Sequence, residues 1–368
     1  MNLSNARIGL ALSGGGIRAA IFHLGALHYL AEAKIFRRIT SISSVSGASL
    51  AIGVILAANK NNWPTEDEFL LNVQPKVRKL ILENNIQSTA LRRLVFSPWH
   101  WRHRVKLLAK VLEEKWGISG NLQDIPHHPY WEINCTTFET GGNFRFRRDY
   151  MGDSTIGYVQ TPTLPLSHVV AASAAFPVLI GPYILQTDNL RWTTDKHGKK
   201  AAISVDDHYS LWDGGVYDNL GLDALYRVER GMDAEIDFLI VSNASASIGH
   251  KERQGHISLA NLRRLLDISM NQVDALRSRQ VLSNVISHGN GHYYKIGYTA
   301  EQLAARMNIP FDKVRELANN SLCQADAAKA RDYPTTLNSP TPHSFDLIFR
   351  HGYENAKTVS GLLRTLKK

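Results

Sequence analysis

A chain of 368 residues, 44% hydrophobic and 20% charged, can bury a sizeable core, and no segment has the low hydrophobicity and high charge that exclude a fold. The formal charge of +9 favours anionic partners such as phospholipid headgroups, nucleic acid or acidic ligands, although a mildly basic soluble surface has the same signature. Two cysteines, Cys135 and Cys323, exclude a disulfide framework or zinc spacing and point to a reducing compartment. No run of about 18 apolar residues predicts a transmembrane helix, and the glycine-broken N-terminus lacks a signal-peptide core, so the expectation is a cytoplasmic protein whose membrane contact, if any, is peripheral.

In chain order, residues 8–12 (IGLAL) form an apolar run that stops at Ser13-Gly14-Gly15-Gly16, the pattern of a buried parallel strand ending in a glycine turn. Ile21, Leu24, Ala26, Leu27, Leu30 and Ala31 then recur at helical spacing. Residues 39–45 (ITSISSV) predict a second strand, and residues 47–59 an apolar helix, so 8–59 reads as a βαβα unit with a right-handed crossover. Residues 60–125 change to a polar, helix-rich insertion punctuated by Trp63-Pro64 and Pro75. Within it Arg92, Arg93, Arg102, His103, Arg104, Lys106 and Lys110 sit among Phe96, Trp99 and Trp101, which suits either a membrane interface or a cap helix with a solvated basic face.

Residues 131–135 (WEINC) predict a strand, followed by a hairpin turning at Thr140-Gly141-Gly142. Residues 167–175 are small and apolar and end at Phe176-Pro177. Ser210-Leu211-Trp212 runs into Asp213-Gly214-Gly215, and residues 237–242 (DFLIVS) predict a strand. From 258 to 286, Leu259, Leu262, Leu266, Met270, Val273, Leu276 and Val281 track one face of a helix; residues 299–320 predict another, capped by Thr299. The alternation of strands and helices predicts an α/β fold with a mainly parallel sheet, without repeats or low-complexity segments.

Three glycines between a strand and a helix leave consecutive backbone N–H groups uncovered at a helix N-terminus, where they can hold a phosphate or an oxyanion. Gly14, Gly16 and Ala19 fit a dinucleotide fingerprint only loosely. No acidic residue stands at the end of a second strand about 20 positions on, and the Gly-Lys-Ser/Thr of a P-loop is absent. A plain tight turn remains the bland alternative.

The next strand-to-helix junction carries the serine cluster of residues 41–53, SISSVSGASLAIG, a near-match to Gly-x-Ser-x-Gly in two registers. Ser46 directly follows the strand and is itself followed by Gly47, so it is the candidate nucleophile. Ser49, in the first helical turn, is expected to bond the backbone. A serine needs a base, and none of the 15 histidines, His127, His128, His343 and His351 included, has a recognisable catalytic context. Asp213, after an apolar pair and before Gly214-Gly215, is the conspicuous acid, with an Asp-Gly turn as its structural alternative.

Together, SGGGIRA (13–19), SVSGAS (44–49) and DGGVYDNLG (213–221), in that order, resemble the patatin-like phospholipase family. AASAAFP (171–177) and FRHGYENA near the C-terminus are similar to further family segments. The resemblance implies a three-layer α/β/α fold with a helical insertion at about 60–125 and a helical C-terminal part at about 256–368, forming one domain over 1–368. It implies an acyl-ester hydrolase with a Ser-Asp dyad: Ser46 the nucleophile, Asp213 the base, Gly14, Gly15 and Gly16 the oxyanion hole, and Arg18, Gly47 and Gly214 in support. It implies no metal or organic cofactor, and a phospholipid or other acyl-ester substrate met by peripheral contact with an anionic membrane, with no nucleic acid partner. Activation as a membrane-degrading effector by a partner or signalling ligand, and action on non-phospholipid esters, stay open. Ser44 and Ala48 stand where the plain elbow has glycines, and Ser13 where many members have Asp.

Overall fold

The computed structural model describes residues 5–96, 103–177, 180–246, 249, 258–306, 309–310, 315 and 321–366. Strands β1 (Ile8–Leu12), β2 (Ile39–Val45) and β3 (Tyr130–Thr137) precede a group of short strands, β4 (Asn143–Phe146), β5 (Tyr150–Asp153), β6 (Gly157–Gln160), β7 (Tyr183–Gln186), β8 (Trp192–Thr193) and β9 (His208–Asp213). After them come β10 (Tyr226–Arg227), β11 (Gly231–Met232), β12 (Phe238–Asn243) and β13 (Gly291–Lys295). The helices are α1 (Gly16–Glu32), α2 (Gly47–Ala58), α3 (Gln74–Glu83), α4 (Ile86–Phe96), α5 (Arg104–Trp116), α6 (Leu166–Ser173), α7 (Gly215–Asp218), α8 (Leu259–Val281), α9 (Ala300–Arg306), α10 (Gln324–Asp332) and α11 (Pro342–Leu366).

The apolar runs become the middle of the sheet, where a strand must be covered on both faces. β13, β12, β1, β2 and β3 lie side by side and parallel, with Leu12 opposite Ser242 on one side and Ser44 on the other. Beyond β3 the chain returns through short turns, and short turns can join only antiparallel strands. β4, β5, β6 and β8 extend the sheet in that way, while β9 pairs antiparallel with the far end of β3 and with β7. Half of the sheet is thus antiparallel, of which sequence patterning foresaw one hairpin.

Alternation along the central strands separates two cores. Ile8, Leu10, Leu12, Phe238 and Ile240 face α1, α2, α6 and α11, whereas Ala11, Leu239 and Val241 face Leu220, Leu222, Ile236, Val281 and Val285. Three layers result, one of helices and one built largely from the loop after β9. On the helical side α1 lies against α11 so closely that a Cβ at Gly25 would collide with the Phe349 carbonyl, and one at Gly352 with that of Phe22. The C-terminal helix is thereby locked onto the helix that starts at the glycine turn.

In the insertion, Arg92 is exposed and Arg93 pairs with Glu114; Trp99, Trp101 and Arg102 lie outside the described residues. The capping Thr299 is realised: its hydroxyl accepts the Gln302 N–H at 3.3 Å, and the Gln302 carboxamide accepts the Thr299 N–H at 3.1 Å. The helix expected over 299–320 forms at its start as α9 but is not continuous, since Ile309 and Pro310 are not helical; most of 311–320 lies outside the described residues. The α8 helix forms where its periodicity placed it, but its apolar face does not become core. Among its described side chains only Asp274 and Val281 are buried, and Leu262 and Leu276 stand exposed.

Candidate active site

Because β1 and β2 are parallel neighbours, the loops that leave their C-terminal ends, 13–15 and Ser46, emerge at one edge of the sheet. Ser46 is the residue between β2 and α2, held at φ 53°, ψ −117°, a conformation that L-residues seldom adopt. Gly47 is obligatory, since a Cβ there would collide with the Gly16 carbonyl oxygen; the glycine turn and the serine turn are pressed together backbone to backbone.

A serine relay holds this turn. The Ser46 N–H donates to Ser173 Oγ at 3.0 Å, and the Ser173 hydroxyl donates to the Asn134 carbonyl at 2.8 Å. With its one proton spent, Ser173 must accept from Ser49 (2.9 Å), so Ser49 accepts from Ser44 (2.8 Å), and Ser44 accepts the Trp131 indole N–H (2.8 Å). Ser49 therefore bonds two side-chain hydroxyls rather than the backbone, and Ser44, Ser49 and Ser173 are fully buried, leaving the half-buried Ser46 as the one of these four that meets the cavity.

Asp213 ends β9 opposite Cys135, with its N–H on the Ala175 carbonyl (3.0 Å) and its carbonyl accepting from the Thr136 hydroxyl (2.9 Å). Its carboxylate accepts the Gly215 N–H at 2.8 Å and lies beside the Ser46 hydroxyl, which favours its charged form. Burial in this position raises its pKa to about 6, the Ser46 hydroxyl and the Gly215 N–H only partly opposing the desolvation. Gly214 donates to the Ser173 carbonyl at 3.4 Å, tying the loop after Asp213 to the same serine that ties the Ser46 turn.

In the glycine turn, the Gly14 N–H is committed to the Asn219 carbonyl at 2.9 Å and the Ile17 N–H to the Thr336 carbonyl at 2.8 Å. Arg18 is buried behind the turn and donates to the Ala244 and Tyr333 carbonyls; desolvation lowers its pKa to about 10, so it stays charged at neutral pH. His23 is equally buried but neutral: its pKa falls to about 4, one ring nitrogen donates to the Ser13 carbonyl (2.8 Å), and the other faces the Ser242 hydroxyl (2.9 Å). A cavity of about 530 Å³ opens over Ser46 and Asp213, walled by Gly14, Gly15, Arg18, Phe176, Arg263 and Met270, and no histidine is among its described lining residues.

The sequence profile described as patatin-like phospholipase matches residues 10–226, more than half of the chain. The chain belongs to the patatin-like phospholipase family. Among solved structures this patatin-like chain resembles human GIVD cytosolic phospholipase A2, at 12% identity and a TM-score of 0.53, over 98% of this chain and 60% of that one. It also matches VipD from Legionella pneumophila at 15% identity and a TM-score of 0.43, over 98% and 67% of the two chains. The patatin-like chain thus spans 60% of the length of the human phospholipase, and the likeness to it is one of fold. No curated protein matches the sequence.

All the site residues named from the sequence gather at this edge of the patatin-like sheet. Ser173 was missed as a site residue, although it is the one hydroxyl in the small-residue run 171–175, and so was Asn219, whose backbone closes Gly14. The acid loop is further braced by Asp218, which accepts the Leu220 and Asp223 N–H groups, and by Arg277 of α8, 3.6 Å from both Asp218 and Asp223. Pairings of this length across the chain leave no local pattern to read. A second cavity of about 450 Å³, lined by Arg145, Tyr150, Lys196 and Asp223, contains neither Ser46 nor Asp213.

Proposed function

We propose that this protein is a lipid acyl hydrolase of the phospholipase A or lysophospholipase type, working through a Ser46–Asp213 dyad. The observation that carries the reading is Ser46, on a strained turn at the floor of a cavity, lining that cavity together with a buried carboxylate whose pKa is raised to about 6. An ordinary aspartate, with a pKa of about 3.9, is a weak base; at about 6 it accepts a proton far more readily yet is still ionised at neutral pH.

Ser46 Oγ attacks the ester carbonyl and Asp213 takes its proton. The tetrahedral oxyanion meets backbone N–H donors of the glycine turn. Because the Gly14 N–H is engaged by Asn219, the oxyanion donors are assigned to Gly15, which lines the cavity, and Gly16, with Gly14 shaping the turn. Collapse expels the alcohol, which takes the proton back from Asp213, and leaves acyl-Ser46. Water then attacks the acyl group while Asp213 takes its proton, and the second collapse releases the fatty acid and returns that proton to Ser46. No step calls for a metal or organic cofactor. Arg18 holds the turn by its two carbonyl contacts and adds positive charge beside an anionic substrate. The family profile ends at residue 226, but α11 is locked onto α1, which supports reading the chain as one patatin-like unit with an inserted helical segment.

Incubation with a fluorophosphonate, followed by mapping of the adduct by mass spectrometry, tests this. Label on Ser46, absent from Ser46→Ala and lost with turnover in folded Asp213→Asn, is expected. Label on Ser49, or full activity of Asp213→Asn, defeats the dyad.

A further inference from the structure

One wall of the cavity is the 23-residue helix α8, which keeps an apolar face in solvent. Arg263, Asp267, Met270, Asn271 and Asp274 point to the cavity. On the opposite side Leu262, Leu265, Ile268 and Leu276 are uncovered, from 38% exposed at Ile268 to 61% at Leu265. Across the mouth, the loop 333–335 lines the same cavity and is anchored one step further on to Gln87 at the start of α4: the Gln87 carboxamide oxygen accepts from the Thr336 hydroxyl (2.6 Å) and the Leu337 N–H (2.9 Å). Residues four apart share a helix face, so the Gln87 stripe continues at Leu91 and Val95, 53% and 74% exposed. Two helices, one walling the cavity and the other bonded to the loop that lines it, thus display uncovered aliphatic side chains.

The charges around these faces select the occupant. Both acids of α8 are turned inward, Asp274 buried and Asp267 at the cavity, and α4 contains no acid. Arg92 and Arg279 are exposed beside the two apolar stripes. An aliphatic surface bordered by arginines, in a chain of charge +9, repels a second copy of itself and complements an anionic lipid surface.

We propose that the outer faces of α8 and α4 form a lipid-docking rim that seats the cavity mouth on an anionic bilayer. This rests on the hydrolase reading above only for its purpose; the docking has its own readout. The rim brings Leu262, Leu265, Ile268, Leu91 and Val95 to the headgroup–acyl boundary and the arginines to the headgroups, so that an acyl chain passes from the bilayer to Ser46 without crossing water.

The test compares the full chain with Leu262→Asp/Leu265→Asp and, as a second variant on the other helix, Leu91→Asp/Val95→Asp. All four side chains are exposed and none lines the cavity. Sedimentation with vesicles of equal parts phosphatidylglycerol and phosphatidylcholine, and with phosphatidylcholine alone, is read beside hydrolysis of vesicle lipid and of a water-soluble short-chain p-nitrophenyl ester. The parent should prefer the anionic vesicles, and the α8 variant should bind them roughly 100-fold more weakly, with vesicle hydrolysis falling in parallel and the soluble ester cleaved at the parental rate. Parental vesicle binding by both folded variants overturns the proposal, as does a change confined to self-association in sedimentation velocity, which would make the face a contact between copies. If neither substrate is turned over while the binding pattern holds, docking stands and the hydrolase reading falls.

Discussion

The strained serine turn makes a prediction in which activity and stability part company. Ser46→Ala and Ser46→Gly both delete the proposed nucleophile and both remove the hydroxyl beside Asp213, so their difference isolates the backbone. At φ 53°, ψ −117° the alanine variant keeps a conformation that costs an L-residue about 1–3 kcal/mol and that glycine adopts freely. Glycine gives back about 0.5–1 kcal/mol through the greater freedom of its unfolded chain. Ser46→Gly should therefore be the more stable of the two inactive variants by about 1 kcal/mol, seen in urea unfolding or as a rise in Tm of about 2 °C for a chain of this size. The Ser173 and Gly47 contacts act on both variants alike, so they cannot reverse the order. A glycine variant no more stable than the alanine variant would refute the claim that the elbow stores backbone strain.

Other consequences follow from the same geometry. Only ionised Asp213 accepts the serine proton, so kcat/KM should fall about tenfold per pH unit below a pKa of about 6 and level off above it; a profile flat down to about pH 4 would remove Asp213 as the base. The same raised pKa works against folding: stability contributed by the protonated carboxyl is complete below the unfolded value near 3.8 and is lost as pH rises through about 6. Asp213→Asn should therefore be more stable than the parent by on the order of 2 kcal/mol at about pH 8, with the gap closing by about pH 4 in denaturant titrations. Ser173→Ala strands the Ser46 N–H, the Asn134 carbonyl and the Ser49 hydroxyl in a dry site. It should cost about 3 kcal/mol in urea unfolding and lower kcat by about 10- to 100-fold with little change in KM; unchanged kcat would show that the relay does not position Ser46. Gly47→Ala drives a methyl into the Gly16 carbonyl and should lose both fluorophosphonate labelling and at least about 2 kcal/mol of stability, whereas a fully active variant would mean that the two turns are not in contact.

Whatever depends on neighbours in the chain is legible in the sequence alone. The apolar runs at 8–12 and 39–45 are strands to the residue, because a strand buried on both faces admits little else. The glycine turn, Ser46 after its strand and Asp213 before its glycines were each placed by local pattern, and the parallel order of two βα units put the first two at one edge. Tertiary structure decided the rest, because its causes lie far apart in sequence. The serines of the 41–53 cluster look interchangeable locally. Ser173 and Trp131, distant in the chain, turn Ser44 and Ser49 into a buried relay and leave Ser46 facing the cavity. The Asn219 carbonyl, far along the chain from Gly14, determines which glycine amides remain for an oxyanion. The α8 periodicity marks a helix with an apolar face but is silent on what covers that face; only the packed chain shows it turned to solvent beside the cavity, since burial depends on which other elements arrive, not on spacing along one of them.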